Sequence, residues 1–321
     1  MFHEIINVHN KDELFNILSE IHYETIFHRC WMGSYCFAAD IVKNYEHVFI
    51  NIKDWNFASQ EVYDFLYPHN NDFKSMEYIF KYSAKVLSHF TEEQYKIWAK
   101  EYNIDQDKFI FFPEYCNEDT FVVNKEKLYK SSIKLVYAGK IPSPALPEDY
   151  FPGKSHLRSI KLLTKQKINI DFVLPPDIYN DVYSEPKKFM DFIYLNKMNN
   201  KFKLLKGEVL NPTLLSTYHF GFFELETTGT NHMLYKYAIT SKFAFYLEAS
   251  LPMLVNEKFY SMAKLVKNNH LGIVFSNDDL ENLNEILKIS NKKYQKMVKN
   301  IIEFRKKFTY KDVNLQTLGI I

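Results

Sequence analysis

Short apolar runs alternate with helix-like segments along almost the whole chain, and this alternation restricts the possible folds more than any other feature of the sequence. Runs such as His47–Ile52, Ile133–Ala138 and Ile168–Leu174 contain few polar residues. Strands that are buried on both faces of a parallel sheet have this composition, and the helices that cover such a sheet come between them. The sequence therefore predicts an α/β fold with largely parallel sheets.

The first part of the chain is predicted to contain five strands, followed or separated by helices. The predicted strands are Glu4–Val8, Thr25–His28, His47–Ile52, Lys85–Phe90 and Lys108–Phe112, and the predicted helices are Lys11–Ile21, Tyr35–Lys43, Ser75–Lys81 and Glu92–Tyr102. Thr91 is expected to cap the last of these helices, whose first turn is acidic. In the second part, strands are predicted at 133–140, 168–174, 202–206, 218–224, 252–256 and 272–275.

A length of 321 residues suits two domains. The polar, lysine-rich region 117–132 lacks a strong period and is the predicted linker. We therefore expect an N-terminal domain over 1–125, a C-terminal domain over 126–300, and a tail over 301–321 that packs back toward the first domain. Ligands of open parallel sheets bind beyond the carboxyl ends of the strands, so the loops after Ile52, Gly139 and Glu224 should face one cleft.

Composition excludes several classes of function. The net charge of +1 provides no global field for nucleic acid, so no nucleic-acid partner is expected. Three cysteines without metal-ligand spacing suit a reducing compartment. No run approaches the ~20 apolar residues of a membrane span, and the N-terminus lacks a signal pattern. The sequence thus predicts a cytoplasmic protein.

The stretch SKFAFYLEASLPMLV (241–255) places a lysine at the start of an otherwise nearly apolar helix. Ser241 could cap this helix, whose free N–H groups attract anions. Lys242 is unfavourable toward the helix dipole unless an anion offsets its charge, although it could instead extend into solvent. Upstream, Thr227, Thr228 and Gly229 could approach and bind a phosphate, or form a plain turn.

The order of features from Tyr218 to Phe275 resembles the C-terminal half of glycosyltransferases with two Rossmann-like domains, the GT-B fold. The stretches that carry the resemblance are FGFFELE, YKYAITSKFAFYLEASLPMLVN and MAKLVKNNHLGIVFSNDDLENL. They are similar to bacterial sugar-nucleotide-dependent enzymes of the streptococcal adhesin glucosyltransferase and galactofuranosyltransferase-like group. IKLVYAGK and region 77–115 extend the resemblance more weakly.

The resemblance implies that the C-terminal domain binds a nucleotide diphosphate sugar, with UDP as the expected nucleotide. Lys242, Ser241, Thr227, Thr228 and Gly229 would lie at the pyrophosphate. Gly139 and Lys140 would line the opposite wall, with Tyr235 near the base or ribose; for Tyr246 core packing is the expectation. No cofactor and no metal are implied.

The sequence departs from the family pattern at several positions. Ser250 replaces an expected glycine, and Ile239-Thr240-Ser241 replaces an Asn-Pro-His. Many retaining members of the family use two glutamates. Glu224 or Glu226 could be the first, but Phe245 stands where the second, on the helix, would fall. The N-terminal domain lacks the glycine-bearing loop of the family and is expected to be a reduced acceptor-side domain.

Two positions at predicted strand ends of the N-terminal domain are candidate catalytic residues. Asp54 follows a strand, in a motif where Lys53 replaces a histidine, and could deprotonate an acceptor hydroxyl or simply cap a turn. His28, followed by Arg29, is the second candidate, with a structural role as its alternative. Asp105-Gln106-Asp107 spells a D-x-D sequence, but it joins a helix to a strand, where aspartate favours turns, and no metal site is expected there.

The predicted function is transfer of a sugar from a nucleotide sugar to a glycan, glycolipid or protein-linked acceptor. A nucleotide-sugar 2-epimerase or a non-catalytic partner of another transferase remain alternatives. The basic helix in 291–311 could contact anionic lipid at the inner face of the membrane, or present a solvated face while it packs on the domains.

Overall fold

The computed structural model describes residues 10–31, 33–53, 72–123, 132–146, 153–207, 211–223 and 232–312. In the N-terminal domain the helices and strands are α1 (Lys11–Glu20), β1 (Ile26–Cys30), α2 (Tyr35–Asn44), β2 (Val48–Ile52), α3 (Asp72–Tyr82), β3 (Lys85–Ser88), α4 (Glu92–Tyr102) and β4 (Phe109–Phe111). Short 3₁₀ turns span Gln106–Lys108 and Glu118–Thr120.

The C-terminal domain begins with β5 (Lys134–Ala138). It continues with α5 (Gly153–Lys165), β6 (Asn169–Leu174), α6 (Pro176–Ser184), α7 (Pro186–Met198), β7 (Phe202–Lys206), α8 (Pro212–Leu215) and β8 (Phe220–Phe223). Then follow α9 (His232–Tyr237), α10 (Ser241–Glu248), β9 (Met253–Asn256), α11 (Tyr260–Asn268), β10 (Gly272–Phe275), a 3₁₀ turn (Asp278–Asn282), α12 (Leu283–Ile286), α13 (Asn291–Arg305) and a 3₁₀ turn (Tyr310–Asp312).

Each domain is built on a parallel sheet, as the alternation of elements predicts. The described strands of the first sheet have the order β1-β2-β3-β4, and those of the second have the order β10-β9-β8-β5-β6-β7. All of the described pairings within these sheets are parallel. Helices cover both faces of the second sheet and form two separate apolar cores, because a strand with apolar side chains on both faces needs cover on each.

The two domains are joined by direct backbone contacts as well as by the chain that links them. A bridge pairs Phe90 with Ala238, and the amide of Ile239 donates to the carbonyl of His89 (2.9 Å). The hydroxyls of Thr91 and Ser261 lie 2.7 Å apart. Thr91 occupies the predicted N-cap position of α4, but its hydroxyl is engaged with the other domain and makes no cap hydrogen bond to the helix.

The end of the described chain packs where the two domains meet. Ile301 and Phe308 are buried in the C-terminal core, and Thr309 forms a bridge with Cys116. Tyr310 donates a hydrogen bond to Glu114 (2.8 Å). Residues 301–312, the described part of the predicted tail, begin inside α13 and contact Glu114 and Cys116, while residues 313–321, the predicted boundary at 125 and the predicted strand Glu4–Val8 lie outside the described residues.

Candidate active site

A cavity of about 950 Å³ opens beyond the carboxyl ends of β5, β6, β8 and β9. Parallel strands of an open sheet place ligands at this edge, where loops and helix N-termini converge. Five of the predicted donor-site residues line this cavity, which we call the donor cavity: Gly139, Lys140, Tyr235, Ser241 and Lys242. Thr227, Thr228 and Gly229 lie outside the described residues.

Lys242 is the second residue of α10, and its ammonium lies against the ring of Tyr137, 4.8 Å from the ring centroid. Within the described part of the chain it has no carboxylate partner and no hydrogen bond. Burial therefore lowers the pKa of Lys242 to about 8, since the neutral form is easier to desolvate. A cation held in this way at a helix start is complementary to an anion that enters the cavity.

The capping role predicted for Ser241 is wrong. Thr240 occupies the N-cap position, with extended backbone and no side-chain cap hydrogen bond, and Ser241 is the first helical residue. The hydroxyl of Thr240 points toward the sulfur of Met262 (3.7 Å). The cavity end of α10 thus keeps its first N–H groups free of a side-chain cap, although Ser241 still lines the cavity.

Gly139 leaves the space that the Lys242 side chain occupies. Its amide donates to the carbonyl of Val173 (3.0 Å), and its φ of +152° favours glycine. A Cβ at this position would lie 2.7 Å from Cε of Lys242 and 3.1 Å from its Nζ. Any side chain at position 139 would therefore displace the lysine.

His156 on α5 also lines the donor cavity, and sequence reasoning missed it. It is buried, with its ring edge-on to Tyr137 (4.9 Å between centroids) and to Phe172 (5.7 Å). Burial, with a further contribution from the charge of Lys242, lowers the pKa of His156 to about 3. A neutral imidazole adds a polar group to the wall without competing with Lys242 for an anion. A lone histidine in an amphipathic helix gives no sequence signal for this placement.

Tyr246 is a core residue, as expected. Its hydroxyl donates to the carbonyl of Val136 (3.1 Å) and accepts from the amide of Ala138 (3.0 Å), which fixes the end of β5. A Cβ at Gly221 would lie 2.3 Å from its ring. Tyr246 thus positions the strand that precedes Gly139.

A second cavity, of about 300 Å³, lies on the N-terminal side and shares Tyr235, Thr240 and Ser241 with the donor cavity. The N-terminal domain contributes residues from the ends of β1, β2 and β3 and from the chain after β4: Arg29, Trp31, Lys53, His89, Phe90 and Glu114. Lys53, directly after β2, and Gly139, directly after β5, therefore line two adjoining cavities, while the rest of the loop after Ile52 (54–71) and Glu224 lie outside the described residues.

Glu114 is the centre of a cluster in this second cavity. One of its carboxylate oxygens accepts from Lys53 (2.8 Å) and Arg29 (2.7 Å), and the other accepts from Tyr310 (2.8 Å). Burial would raise the pKa of Glu114, but the hydrogen bond and charge of Lys53, with help from Tyr310 and Arg29, hold it below its usual value. Burial, with the charge of Lys53, lowers the pKa of the neighbouring His89 to about 3.

Of the two candidate catalytic residues of this domain, only His28 is among the described residues. His28 does not line either cavity; its ring packs edge-on against Phe37 (5.5 Å), because side chains alternate along β1 and Arg29 takes the cleft side. Burial lowers the pKa of His28. Its catalytic role stays a prediction that this placement does not favour, and Asp54 lies outside the described residues.

The structure resembles solved glycosyltransferases throughout most of its length. Trehalose-6-phosphate synthase from Burkholderia multivorans superposes with a TM-score of 0.56 at 8% identity, over 89% of this chain and 76% of that one. TarM from S. aureus gives 0.53 at 12% identity, over 86% of this chain and 51% of TarM, so the chain spans about half of TarM. The N-terminal domain of trehalose-6-phosphate phosphatase from Candida albicans gives 0.54 at 11%, over 89% and 73%.

Residues 189–312 match the family model for the C-terminal domain of glucosyltransferase 3-like proteins. This match covers the end of the donor cavity that holds Tyr235, Ser241 and Lys242. The chain therefore has the GT-B fold of these proteins, and its second domain is similar to the C-terminal domain of glucosyltransferase 3-like proteins. No match was found among curated protein sequences.

Ser250, which stands where the resemblance leads us to expect a glycine, has a structural role in this chain. It follows the end of α10 with a φ of +50°, the left-handed conformation that glycine adopts readily at a helix end. Its hydroxyl donates to the carbonyl of Val122 (2.7 Å) and accepts from Arg305 (2.8 Å). Ser250 lies outside both cavity linings, so the geometry does not connect this departure from the family pattern with the choice of donor.

Asp105 behaves as the turn former that its position predicts, since its carboxylate accepts from the amide of Asp107 (3.0 Å) at a 3₁₀ turn. Across the described ranges, no group of three or more histidine, cysteine, aspartate or glutamate side chains is placed to hold a metal ion. None of the helices in those ranges is both long enough and apolar enough to span a bilayer.

Proposed function

We propose that this chain is a glycosyltransferase that transfers a sugar from a UDP-sugar to a carbohydrate or glycoconjugate acceptor. The observation that carries the proposal is the pairing of Lys242 with the start of α10 in a 950 Å³ cavity, where the ammonium lacks an anionic partner among the described residues. A diphosphate would supply the missing negative charge, and its oxygens would accept hydrogen bonds from the N–H groups at the start of the helix.

The sugar would lie at the mouth of the donor cavity, where Tyr235, Thr240 and Ser241 also face the second cavity. During transfer, the bond between the anomeric carbon and the diphosphate oxygen breaks, and the diphosphate leaves with the electron pair. An acceptor hydroxyl oxygen bonds to the anomeric carbon and passes its proton to the general base, for which Asp54 is proposed. Lys242 would stabilise the negative charge that grows on the leaving group, which is the step where such fixed cations contribute most.

The choice of UDP is supported by two structural neighbours. The TarM structure was solved in complex with UDP and alpha-GlcNAc-glycerol, and the trehalose-phosphate synthase of Burkholderia vietnamiensis is described as UDP-forming. Both chains share the fold at low identity. Because this chain shares their fold, we propose UDP as its nucleotide as well. The nucleoside would occupy the part of the donor cavity that Pro175 and Phe189 line.

Further parts of the proposal concern the reaction's other requirements. We propose that no metal is needed, because Lys242 supplies the cation at the diphosphate. Asp54 is the proposed general base: Asp54→Asn should lower turnover strongly, and unchanged turnover would remove it from this role. His28→Gln is the corresponding test of the second candidate, whose placement outside both cavity linings favours it less. We also propose a cytoplasmic enzyme whose exposed Lys292, Lys293 and Lys296 on α13 could attract anionic lipid; the apolar face of this helix is buried in the C-terminal domain and cannot insert.

UDP release from UDP-glucose, UDP-galactose and UDP-N-acetylglucosamine by the purified chain tests the proposal, with and without a mixture of sugar acceptors. We expect release that increases with acceptor, survives a metal chelator, and falls strongly in Lys242→Ala but not in Lys161→Ala, an exposed lysine of α5. Product analysis separates the alternatives, since a 2-epimerase would isomerise the donor without acceptor. Absence of both turnover and UDP binding would indicate a non-catalytic partner and would refute the proposal.

A further inference from the structure

The second cavity has the features of a subsite for an acidic sugar. We propose that it binds an acceptor that carries a phosphate or carboxylate group, with this group at Arg29 and the sugar ring against Trp31. This inference rests on the proposed transfer of a sugar from a nucleotide sugar, and it specifies the chemical class of the acceptor.

Arg29 presents an incompletely used guanidinium to this cavity. Its Nη2 donates to Glu114 (2.7 Å), while its other nitrogens have no hydrogen-bond partner among the described residues. Its side chain is 43% exposed. The planar fork of an arginine binds phosphate and carboxylate oxygens in pairs, so the free edge of Arg29 is suited to an anionic group.

Trp31 lies beside the free edge of Arg29. The guanidinium carbon is 5.1 Å from the indole ring centroid, and the tryptophan is 47% exposed although it is one of the most hydrophobic side chains. An exposed indole at a polar cavity offers a flat apolar face for the C–H groups of a sugar ring. Stacking on Arg29 also holds the guanidinium in place.

Lys53 adds a buried charge to the same side of the cavity. Its side chain is 9% exposed, and its ammonium shares one carboxylate oxygen of Glu114 with Arg29. Among the described residues that line the cavity, Arg29 and Lys53 are cations and Glu114 is the one carboxylate. This described lining therefore has an excess positive charge, which favours an anionic ligand over a neutral one.

The location of the cavity fits an acceptor site. It adjoins the donor cavity through Tyr235, Thr240 and Ser241, so a sugar held at Arg29 and Trp31 would extend toward the donor. A volume of about 300 Å³ is at the lower end of small-ligand sites and suits one sugar unit.

Calorimetric titration of the full chain with glucose, glucuronate, glucose 6-phosphate and inorganic phosphate tests the inference, with and without saturating UDP. We expect the two acidic sugars to bind at least about tenfold more tightly than glucose. The Arg29→Gln variant keeps a donor for Glu114 and should lose this preference. Arg158→Gln, which changes an exposed arginine of α5, should retain it. Binding of inorganic phosphate with competition against glucose 6-phosphate would support a phosphate source, and a preference for glucuronate would support a carboxylate.

Equal affinities for glucose and the acidic sugars in the wild-type chain would overturn the inference. So would an acidic preference that Arg29→Gln leaves intact. Titration with UDP in the same samples separates this result from the donor proposal, because UDP binding depends on Lys242 and not on Arg29. A Trp31→Ala variant gives an independent readout, since it should weaken binding of both acidic sugars more than binding of inorganic phosphate, which has no ring to stack.

Discussion

Lys242 on the C-terminal side of the cleft and Lys53 on the N-terminal side are both held away from bulk water, but only Lys53 has a carboxylate beside it among the described residues. Glu114 neutralises Lys53 before any ligand arrives, so this side of the cleft is already a stable polar cluster. The ammonium of Lys242 contacts the ring face of Tyr137, and burial lowers the pKa of Lys242 below its ordinary value. We infer that a desolvated cation without an anionic partner indicates a ligand site, whereas a cation that is paired with a carboxylate also stabilises the fold.

Replacing Lys242 should give the largest functional effect. We expect Lys242→Ala to lower turnover by about 100-fold or more, because it removes a fixed charge at the leaving group. Thermal stability should stay at or above the wild-type value, since the free protein loses a desolvated charge. Turnover of Lys161→Ala provides the matched control. Wild-type turnover in Lys242→Ala would show that Lys242 does not bind the leaving group, and its difference from Lys53 would then have no functional meaning.

The titration of Lys242 should appear in the pH dependence of UDP affinity. Because the ammonium form binds the diphosphate and its pKa in the free protein is about 8, affinity should fall by up to about tenfold per pH unit above that value. Conversely, the unfolded chain binds more protons between about pH 8 and the ordinary 10.5, so the stability of the free protein should rise with pH in this window. Calorimetry in Lys242→Met, compared with wild type, measures both effects, and an unchanged pH profile in that variant would contradict them.

Gly139→Ala tests the space around Lys242 from the other side. A Cβ would overlap Cε of the lysine, and alanine is strained at a φ of +152°. We expect UDP affinity to fall by about tenfold and the free energy of unfolding to fall by roughly 1–2 kcal/mol. If Gly139→Ala binds UDP as tightly as wild type, the donor does not require the observed lysine position.

Glu114→Gln should affect stability more than donor binding. It leaves the buried Lys53 without a charged partner, although glutamine retains hydrogen bonds and the site is partly solvated, so we expect a loss of about 2 kcal/mol. Glu285→Gln, in an exposed pair with Lys288, should change stability by less than about 0.5 kcal/mol. Denaturant melts compare the two variants, and equal losses would show that Glu114 is not a structural partner of Lys53.

The smallest effect is expected at Ser250. Ser250→Gly relieves the left-handed backbone but loses the hydrogen bonds to Val122 and Arg305, so these changes should offset each other to within about 1 kcal/mol. Ser250→Ala loses the hydroxyl without relieving the backbone and should be the less stable variant. Donor preference should be the same in both, and a changed preference would restore Ser250 to the donor site.

The sequence predicted the sheets well, because strands buried on both faces are apolar without interruption; β7 and β10 have the predicted bounds. It placed Gly139 and Lys242 on opposite walls of one site, since strand ends and helix starts converge at one edge of a parallel sheet, whereas in the structure the Lys242 side chain packs directly against Gly139. It missed α6 and α7, which begin at Pro176 and Pro186. It could not separate His28 from Arg29 as the residue facing the cleft, because the direction of one alternation depends on packing against α2.

The cluster of Arg29, Lys53, Glu114 and Tyr310 was beyond sequence reasoning for a related reason. Its members are up to 281 residues apart in the chain, with Tyr310 contributed by the segment that returns to the first domain. Motifs near one another in sequence, such as Ser241 and Lys242, are found by pattern. A group assembled from four distant elements becomes visible only when the fold is known.

Calorimetric titration of UDP and UMP into the wild-type chain and Lys242→Ala tests the central claim most directly, since the two nucleotides differ by the phosphate that Lys242 is proposed to hold. We expect wild type to bind UDP at least about tenfold more tightly than UMP, and we expect this preference to disappear in Lys242→Ala. An equal preference for UDP over UMP in the two proteins, or no binding of UDP to wild type, would contradict it.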